Sequence, residues 1–379
     1  MHPAPPEHAM LVDALGLSPT TRVDLVSREP LGAGSVAGFH VSADDGAVLT
    51  YFVDTSRRVV AAETGVLAGT PEEPEARIWL HPADPHLPAL APAAFSDAAR
   101  SLLARLDIDA IGAPELVVYR PGRRAVLRVP TSGGAAWVKA VPPDRVSAIV
   151  DAHSAFGAAG IPVPVVRGFS DQGLMVWDAA TGTPAADAPW TPAGLVDEVD
   201  ALRERIAEAA IARPARTALR GRLDWYSERL LAVLPPDDAA VVAAVVARSD
   251  REWHDPGRET IHGDLHFGQL FLDDRLRITG VIDVDTAGRG APSDDASAFI
   301  AHAAASAVLT AAPNDARLWD LVSVALERWE GPGVRARTAT HLLGHALGAG
   351  ERGDLAQCRR LLVVAASVSS GDRDGLSAA

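Results

Sequence analysis

The chain has 379 residues, 48% hydrophobic and 22% charged, enough for two or three packed units whose cores need no covalent staple. A formal net charge of −14 excludes nucleic acid as a default partner, because phosphate backbones are bound by basic patches. The single cysteine, Cys358, excludes an intrachain disulfide framework and suits a reducing compartment.

In chain order, the N-terminus lacks the basic-then-apolar pattern of a signal peptide. The longest aliphatic stretch, Ala239–Ala247, falls short of the roughly 20 residues that a bilayer span needs. A soluble, cytoplasmic protein with no membrane contact is expected. A short helix and a set of strands (Arg22–Val26, Val36–Val41, Val48–Val53, Ala76–Leu80) occupy the first 80 residues or so, separated by turn-rich pieces. Leu80–Pro92, with prolines at 82, 85, 88 and 92, reads as an ordered connector, since repeated proline removes ladder donors and breaks helices.

A helix over Ala98–Leu106 leads into three short strands, Leu116–Tyr119, Ala125–Val129 and Ala136–Val141, joined by the turns Arg120–Arg124 and Ser132–Gly134. That pattern is an antiparallel meander. Asp144–Ala158 has helical spacing and ends near Gly157 and Gly160, as a helix C-terminus does. Gly173–Trp177 reads as a further strand. Beyond Trp190 the chain is mainly helical, with apolar periodicity over Leu195–Ala212, Ala215–Leu234, Asp238–Ser249, Ala296–Thr310 and Ala316–Trp329. The exception is Thr260–Asp285, which is short and strand-like.

That exception carries the chemistry. Ile261-His262-Gly263-Asp264-Leu265-His266-Phe267-Gly268-Gln269 is followed by two strands around a turn and then Val281-Ile282-Asp283-Val284-Asp285. A hairpin brings Asp264, Gln269 and Asp283 near one another. Phosphoryl transfer requires such a set: one carboxylate to orient the acceptor hydroxyl and take its proton, and oxygen ligands to hold Mg²⁺ against the triphosphate. Asp285 is either a second contact to metal or substrate amine, if the strand continues, or a solvated loop acid. His262 and His266 have no cysteine or further histidine at ligand spacing, so zinc is not expected. His262 instead packs beneath the loop and fixes its backbone.

These residues resemble the aminoglycoside phosphotransferase and choline kinase-like superfamily, small-molecule kinases with a protein-kinase-like fold. Its members carry His-Gly-Asp, an Asn or Gln five residues after that Asp, and an Ile-Asp motif after the following hairpin. The resemblance implies Asp264 as catalytic base, and Gln269 and Asp283 as Mg²⁺ ligands. Gly290–Ala296 resembles a further stretch of the family in which Asp295 would buttress the catalytic loop. Gln in place of the commoner Asn at 269 is similar to the maltokinase and glucosamine kinase branch, whose members carry an N-terminal cap.

Lys139, at the end of the third meander strand, stands where a kinase-like fold places the lysine that grips the α- and β-phosphates. The family's glutamate partner for that lysine falls here on Asp151. Turn 120–124, with Gly122 its single glycine, would close over the phosphates. Gly173–Gly182 resembles the hinge, with the backbones of Asp178 and Ala180 toward the adenine edge.

The expected architecture is therefore α+β and bilobal: a β-rich N-terminal cap (1–95), a small lobe with the nucleotide-binding lysine and hinge (96–180), and a helical large lobe (181–379). The expected activity is ATP- and Mg²⁺-dependent phosphorylation of a hydroxyl on a sugar or amino sugar. Two alternatives are an aminoglycoside antibiotic phosphotransferase and a catalytically degenerate nucleotide-binding regulator.

Overall fold

Short alternating segments separated by glycine turns dominate the first 180 residues, and they fold as two five-stranded antiparallel sheets. The computed structural model describes residues 5–372 apart from 43–45, 61, 217–218 and 255–256. The chain divides into two compact units, residues 1–148 with 165–179, and residues 149–164 with 180–379.

In the first unit, helix α1 (Pro6–Leu15) precedes strands β1 (Val23–Leu31), β2 (Gly34–Ser42), β3 (Val48–Asp54), β4 (Val66–Gly69) and β5 (Pro74–Leu80). They pair in the order β1-β2-β3-β5-β4. Because side chains alternate across a strand, this sheet buries two separate sets. Ala37, Phe39, Val41 and Val53 pack with Leu11 of α1, while Val36, Phe52 and Trp79 pack with Leu31 and Tyr119.

The proline-rich connector leads to α2 (Leu90–Ala94) and α3 (Ser96–Ala104). Leu87, Leu90 and Leu103 are fully buried against Leu127, Val129 and Val138 of the second sheet. Each such side chain contributes roughly 1.5–3 kcal/mol, which explains why a passage with few backbone ladder bonds is nonetheless ordered. The second sheet contains β6 (Glu115–Arg120), β7 (Arg124–Thr131) and β8 (Gly134–Ala140). Helix α4 (Val146–Ala158) follows, and then β9 (Val166–Phe169) and β10 (Leu174–Asp178). The order is β6-β7-β8-β10-β9. The meander expected from the glycine turns is present as β6–β8. Strand β9 falls in the extended run that the sequence starts at Pro162 and Pro164, although four residues are too few to show a strand period.

The second unit is built on α5 (Pro192–Glu208), α6 (Leu219–Val233), α7 (Pro236–Glu252), α8 (Pro292–Leu309), α9 (Ala316–Arg328), α10 (Pro332–Glu351) and α11 (Leu355–Ser370). The expected helices lie within these spans to within a few residues. The starts are sharper than periodicity indicates, because Pro192, Pro236 and Pro292 occupy first-turn positions, where a missing N–H is harmless. Helix α8 is the core element, with Phe299, Ile300, Ala303, Ala304 and Ala307 all at 0% exposure. Short strands β11 (Thr183–Pro184), β13 (Leu270–Leu272) and β14 (Ile278–Val281) form one sheet, and β12 (Glu259–Ile261) pairs with β15 (Gly288–Gly290). Among the described residues no helix is long and apolar enough to cross a membrane.

Candidate active site

The hairpin that interrupts the helices of the second unit positions a loop of unusual backbone economy. Strand β12 ends at Ile261, and the chain then turns through His262, Gly263 and Asp264 before a 3-10 turn at Phe267–Gln269. Gly263 has φ +87°, and a Cβ there would lie 2.9 Å from the Thr286 carbonyl oxygen, so no other residue fits without strain. Two consecutive amides, of His262 and Gly263, donate to the two carboxylate oxygens of Asp295 at 2.8 and 2.7 Å. Asp295 sits in the first turn of α8, and the burial that raises its carboxyl is opposed by the charge of His262 and by these bonds. The ring of His262 is fully buried and bonds the Ile282 carbonyl through Nε2 at 3.1 Å. Beside Asp295, Asp294 accepts from Arg337 of α10 at 2.7 Å, which fixes the start of α8.

Gln269 and Asp283 lie on opposite arms of the hairpin. The arms are joined where the Ile282 N–H donates to the Gln269 carbonyl at 3.1 Å, one step beyond the Leu270–Val281 pair. The buried Gln269 side chain accepts the His266 N–H through Oε1 at 3.3 Å. Asp283 adopts the left-handed conformation, φ 60° and ψ 42°, rare for a residue with a Cβ. The strand therefore stops, and Val284–Thr286 forms a 3-10 turn. Asp285 consequently does not share a strand face with Asp283. It is buried at 7% exposure rather than solvated, and its charge acts on Arg213.

Asp264 opens onto a cavity of about 290 Å³. Its walls bring together residues that sequence spacing does not connect: His302 of α8, His341 and His345 of α10, Arg222 and Tyr226 of α6, and Arg216 before α6. Nε2 of His302 stands 3.7 Å from Oδ1 of Asp264, a distance at which the attraction is electrostatic rather than a formed hydrogen bond. Burial raises the Asp264 carboxyl, but the attraction of His302, with that of His266 and His341, outweighs it and holds the group below its ordinary value. It is ionised at neutral pH.

The imidazoles behave oppositely. Burial, helped by His302, lowers His341 to about 3 and His345 to about 4, so both are neutral donors and acceptors. His266 has no cysteine or further histidine at ligand spacing along the chain, but the fold brings a histidine to it. Its ring stacks on His302 at 4.1 Å, and ligand atoms of Asp264, His266 and His302 all lie within 4.8 Å of one another. The partner comes from α8, far along the chain, where spacing rules do not reach. The His341/His345 pair, four apart on a helix, was the one readable signal of this wall.

In the first unit, Lys139 is the penultimate residue of β8, paired with Met175 of β10 and Val126 of β7. It is buried, with Nζ 5.9 Å from the Trp177 ring centroid. Gly122 lies in the β6–β7 turn at φ +67°, where a Cβ would meet Leu31 at 2.6 Å. Its N–H is committed to Asp84, at 2.8 Å, and so is not directed at a phosphate. Asp178 ends β10, and its amide donates to Val165. In the second unit, Asp151 is exposed on α4 and its charge acts on Arg213. The Ala180 amide has no hydrogen-bond acceptor among the described residues.

An antiparallel five-stranded sheet with a buried lysine on its third strand, and a helical unit with a carboxylate loop on a hairpin, belong together in one class, the phosphotransferases of kinase-like fold. A sequence model described as "Phosphotransferase enzyme family" matches residues 112–342. That is more than half of the chain, and the protein belongs to this family. Solved structures agree on the fold. A thermostable mutant of aminoglycoside phosphotransferase APH(4)-Ia in its apo form superposes with a TM-score of 0.53 at 17% identity, covering 71% of this chain and 98% of that one. A thermostable mutant of the same enzyme in a ternary complex with ADP and hygromycin B gives 0.51 at 15% identity, over 71% of this chain and 97% of that one. A comparison with curated protein sequences finds no match.

Proposed function

We propose that this phosphotransferase moves the γ-phosphoryl group of ATP onto a hydroxyl of a sugar-sized acceptor, with Asp264 as the base. The single observation that carries the reading is the setting of Asp264: an ionised carboxylate on a loop whose backbone is clamped by Asp295, open to a cavity large enough for one sugar ring. In the transfer, the acceptor oxygen forms a bond to the γ-phosphorus. The bond from that phosphorus to the β–γ bridging oxygen breaks, and ADP leaves with the electron pair. Asp264 takes the hydroxyl proton and returns it to solvent.

Gln269 and Asp283 offer a carbonyl and a carboxylate oxygen, the hard donors that suit Mg²⁺. When bound there, the ion would neutralise phosphate charge. Lys139, with Asp151 as its family-position partner, would hold the α- and β-phosphates. The β6–β7 turn with Gly122 would cover them, and Asp178 and Ala180 would meet the adenine edge. Residues 1–95, 96–180 and 181–379 would then serve as cap, nucleotide lobe and acceptor lobe of a cytoplasmic enzyme. A neighbour's complex with ADP and hygromycin B supports an adenine nucleotide beside a hydroxylated acceptor. Amino sugars and aminoglycosides fit less well than neutral sugars, because two guanidiniums and one carboxylate line the cavity.

The test is ADP release by the purified chain with ATP and Mg²⁺ across maltose, glucose, glucosamine, aminoglycosides and choline, with Asp264→Asn as blank. Release on one acceptor class that is absent from the blank is the expected result. Equal release by both proteins would remove Asp264 from the role.

A further inference from the structure

The cavity beside Asp264 has a charge balance that phosphoryl transfer does not itself require. Its guanidinium and carboxylate side chains are those of Arg216, Arg222 and Asp264. The rest of the polar wall is Tyr226, Thr286 and histidines, of which His341 and His345 are held neutral by burial. The chain has 49 acidic against 35 basic residues, so a guanidinium left without a carboxylate is not what composition favours. Other arginines of α6 follow composition: Arg220 pairs with Asp250 and Arg229 with Glu351. Arg222, on the face turned to the cavity with Tyr226 four residues on, has no ion pair among the described residues, and neither has Arg216.

We propose that this cavity takes a hydroxylated ligand bearing an anionic group, a carboxylate or a phosphate, which Arg216 and Arg222 hold while a hydroxyl of the same ligand reaches Asp264. The assignment rests on Asp264 as the acceptor-activating base and names the class of acceptor. Guanidinium forks match both anions in a bidentate way that lysine does not. The neutral imidazoles of His341 and His345 and the hydroxyl of Tyr226 serve the ligand's hydroxyls without adding charge. A polyamine ligand would meet two like charges and a single carboxylate, an arrangement that selects against it.

The experiment titrates the full chain, with Mg²⁺ and a non-hydrolysable ATP analogue present, against four probes: gluconate, glucose 6-phosphate, glucose and glucosamine. The expected result is that at least one anionic probe binds about tenfold or more tighter than glucose, with glucosamine weakest. The gluconate and glucose 6-phosphate arms separate carboxylate from phosphate. The preference should collapse in Arg216→Gln/Arg222→Gln, return in part in the double lysine variant, and shrink as salt is raised.

Binding of none of the four probes, or no preference for either anion, overturns the proposal. So does a double variant that loses the nucleotide analogue instead of the anion preference. ADP release by the same proteins, with ATP in place of the analogue, distinguishes this from the kinase reading. Anion preference without ADP release keeps the cavity assignment and removes the kinase. ADP release with glucose or glucosamine, indifferent to both arginines, keeps the kinase and overturns the cavity assignment.

Discussion

The carboxylate of Asp84 accepts the N–H of Gly122 at 2.8 Å, so a residue from the proline-rich connector holds the turn between β6 and β7. The same Asp84 accepts the Tyr119 hydroxyl at 3.0 Å and the His86 N–H at 2.9 Å, and His86 reaches Asp54 at 2.7 Å. Burial raises the Asp84 carboxyl, opposed first by the Gly122 bond. Removing it strands two buried N–H groups and a phenol, each worth about 1–3 kcal/mol. Asp84→Ala should therefore unfold at clearly lower denaturant concentration than the parent and bind ATP more weakly. A variant with parental stability and ATP affinity would show that the turn needs no such anchor.

Asp264→Asn keeps the shape of the loop and removes the proposed base. General-base contributions run to about 10²–10⁴-fold, so turnover should fall by that order while ATP affinity stays within a few-fold. Single-turnover ADP formation alongside nucleotide titration separates the two effects.

Asp295 receives two neighbouring amides and is itself at 2% exposure. Asp295→Ala leaves both donors unmatched in the interior, a loss of about 2–6 kcal/mol for the pair. The variant should be strongly destabilised, measured by equilibrium denaturation, and should lose activity even where it remains folded, because Gly263 and Asp264 lose their mooring.

His341 and His345 titrate in the folded protein near 3 and 4, far below the roughly 6.5 of an unfolded histidine. With folded values depressed, the unfolded chain takes protons first. Stability from these neutral rings is complete above pH ~6.5 and lost as pH falls toward 4, at about 1.4 kcal/mol per pH unit for each ring. Denaturation midpoints between pH 7 and 4.5 should fall more steeply for the parent than for His341→Gln/His345→Gln. Parallel curves would count against burial as the cause.

The hairpin of Asp264, Gln269 and Asp283 was legible because its parts are local. Asp264, Gln269 and Asp283 lie close together along the chain, and a hairpin between them leaves it little choice of geometry. Helices were legible for a similar reason, since a 3.6-residue period repeats over many positions in α5, α8 and α10. Strands as short as β9, β11 and β15 carry no such repeat. The left-handed Asp283 was also invisible, although it turns Asp285 into the interior and away from the face of Asp283.

What the sequence determined by itself is the family and the candidate chemistry: a proposed base and two oxygen donors stand at short spacing in one hairpin, with the lysine of β8 far earlier in the chain. What only the tertiary structure decided is the setting of that chemistry. Asp84 reaches Gly122 across 38 residues, and the wall of the cavity beside Asp264 draws on α6, α8 and α10 together. Side chains from distant segments meet only when a core forms between them, and that core is a property of packing rather than of pattern.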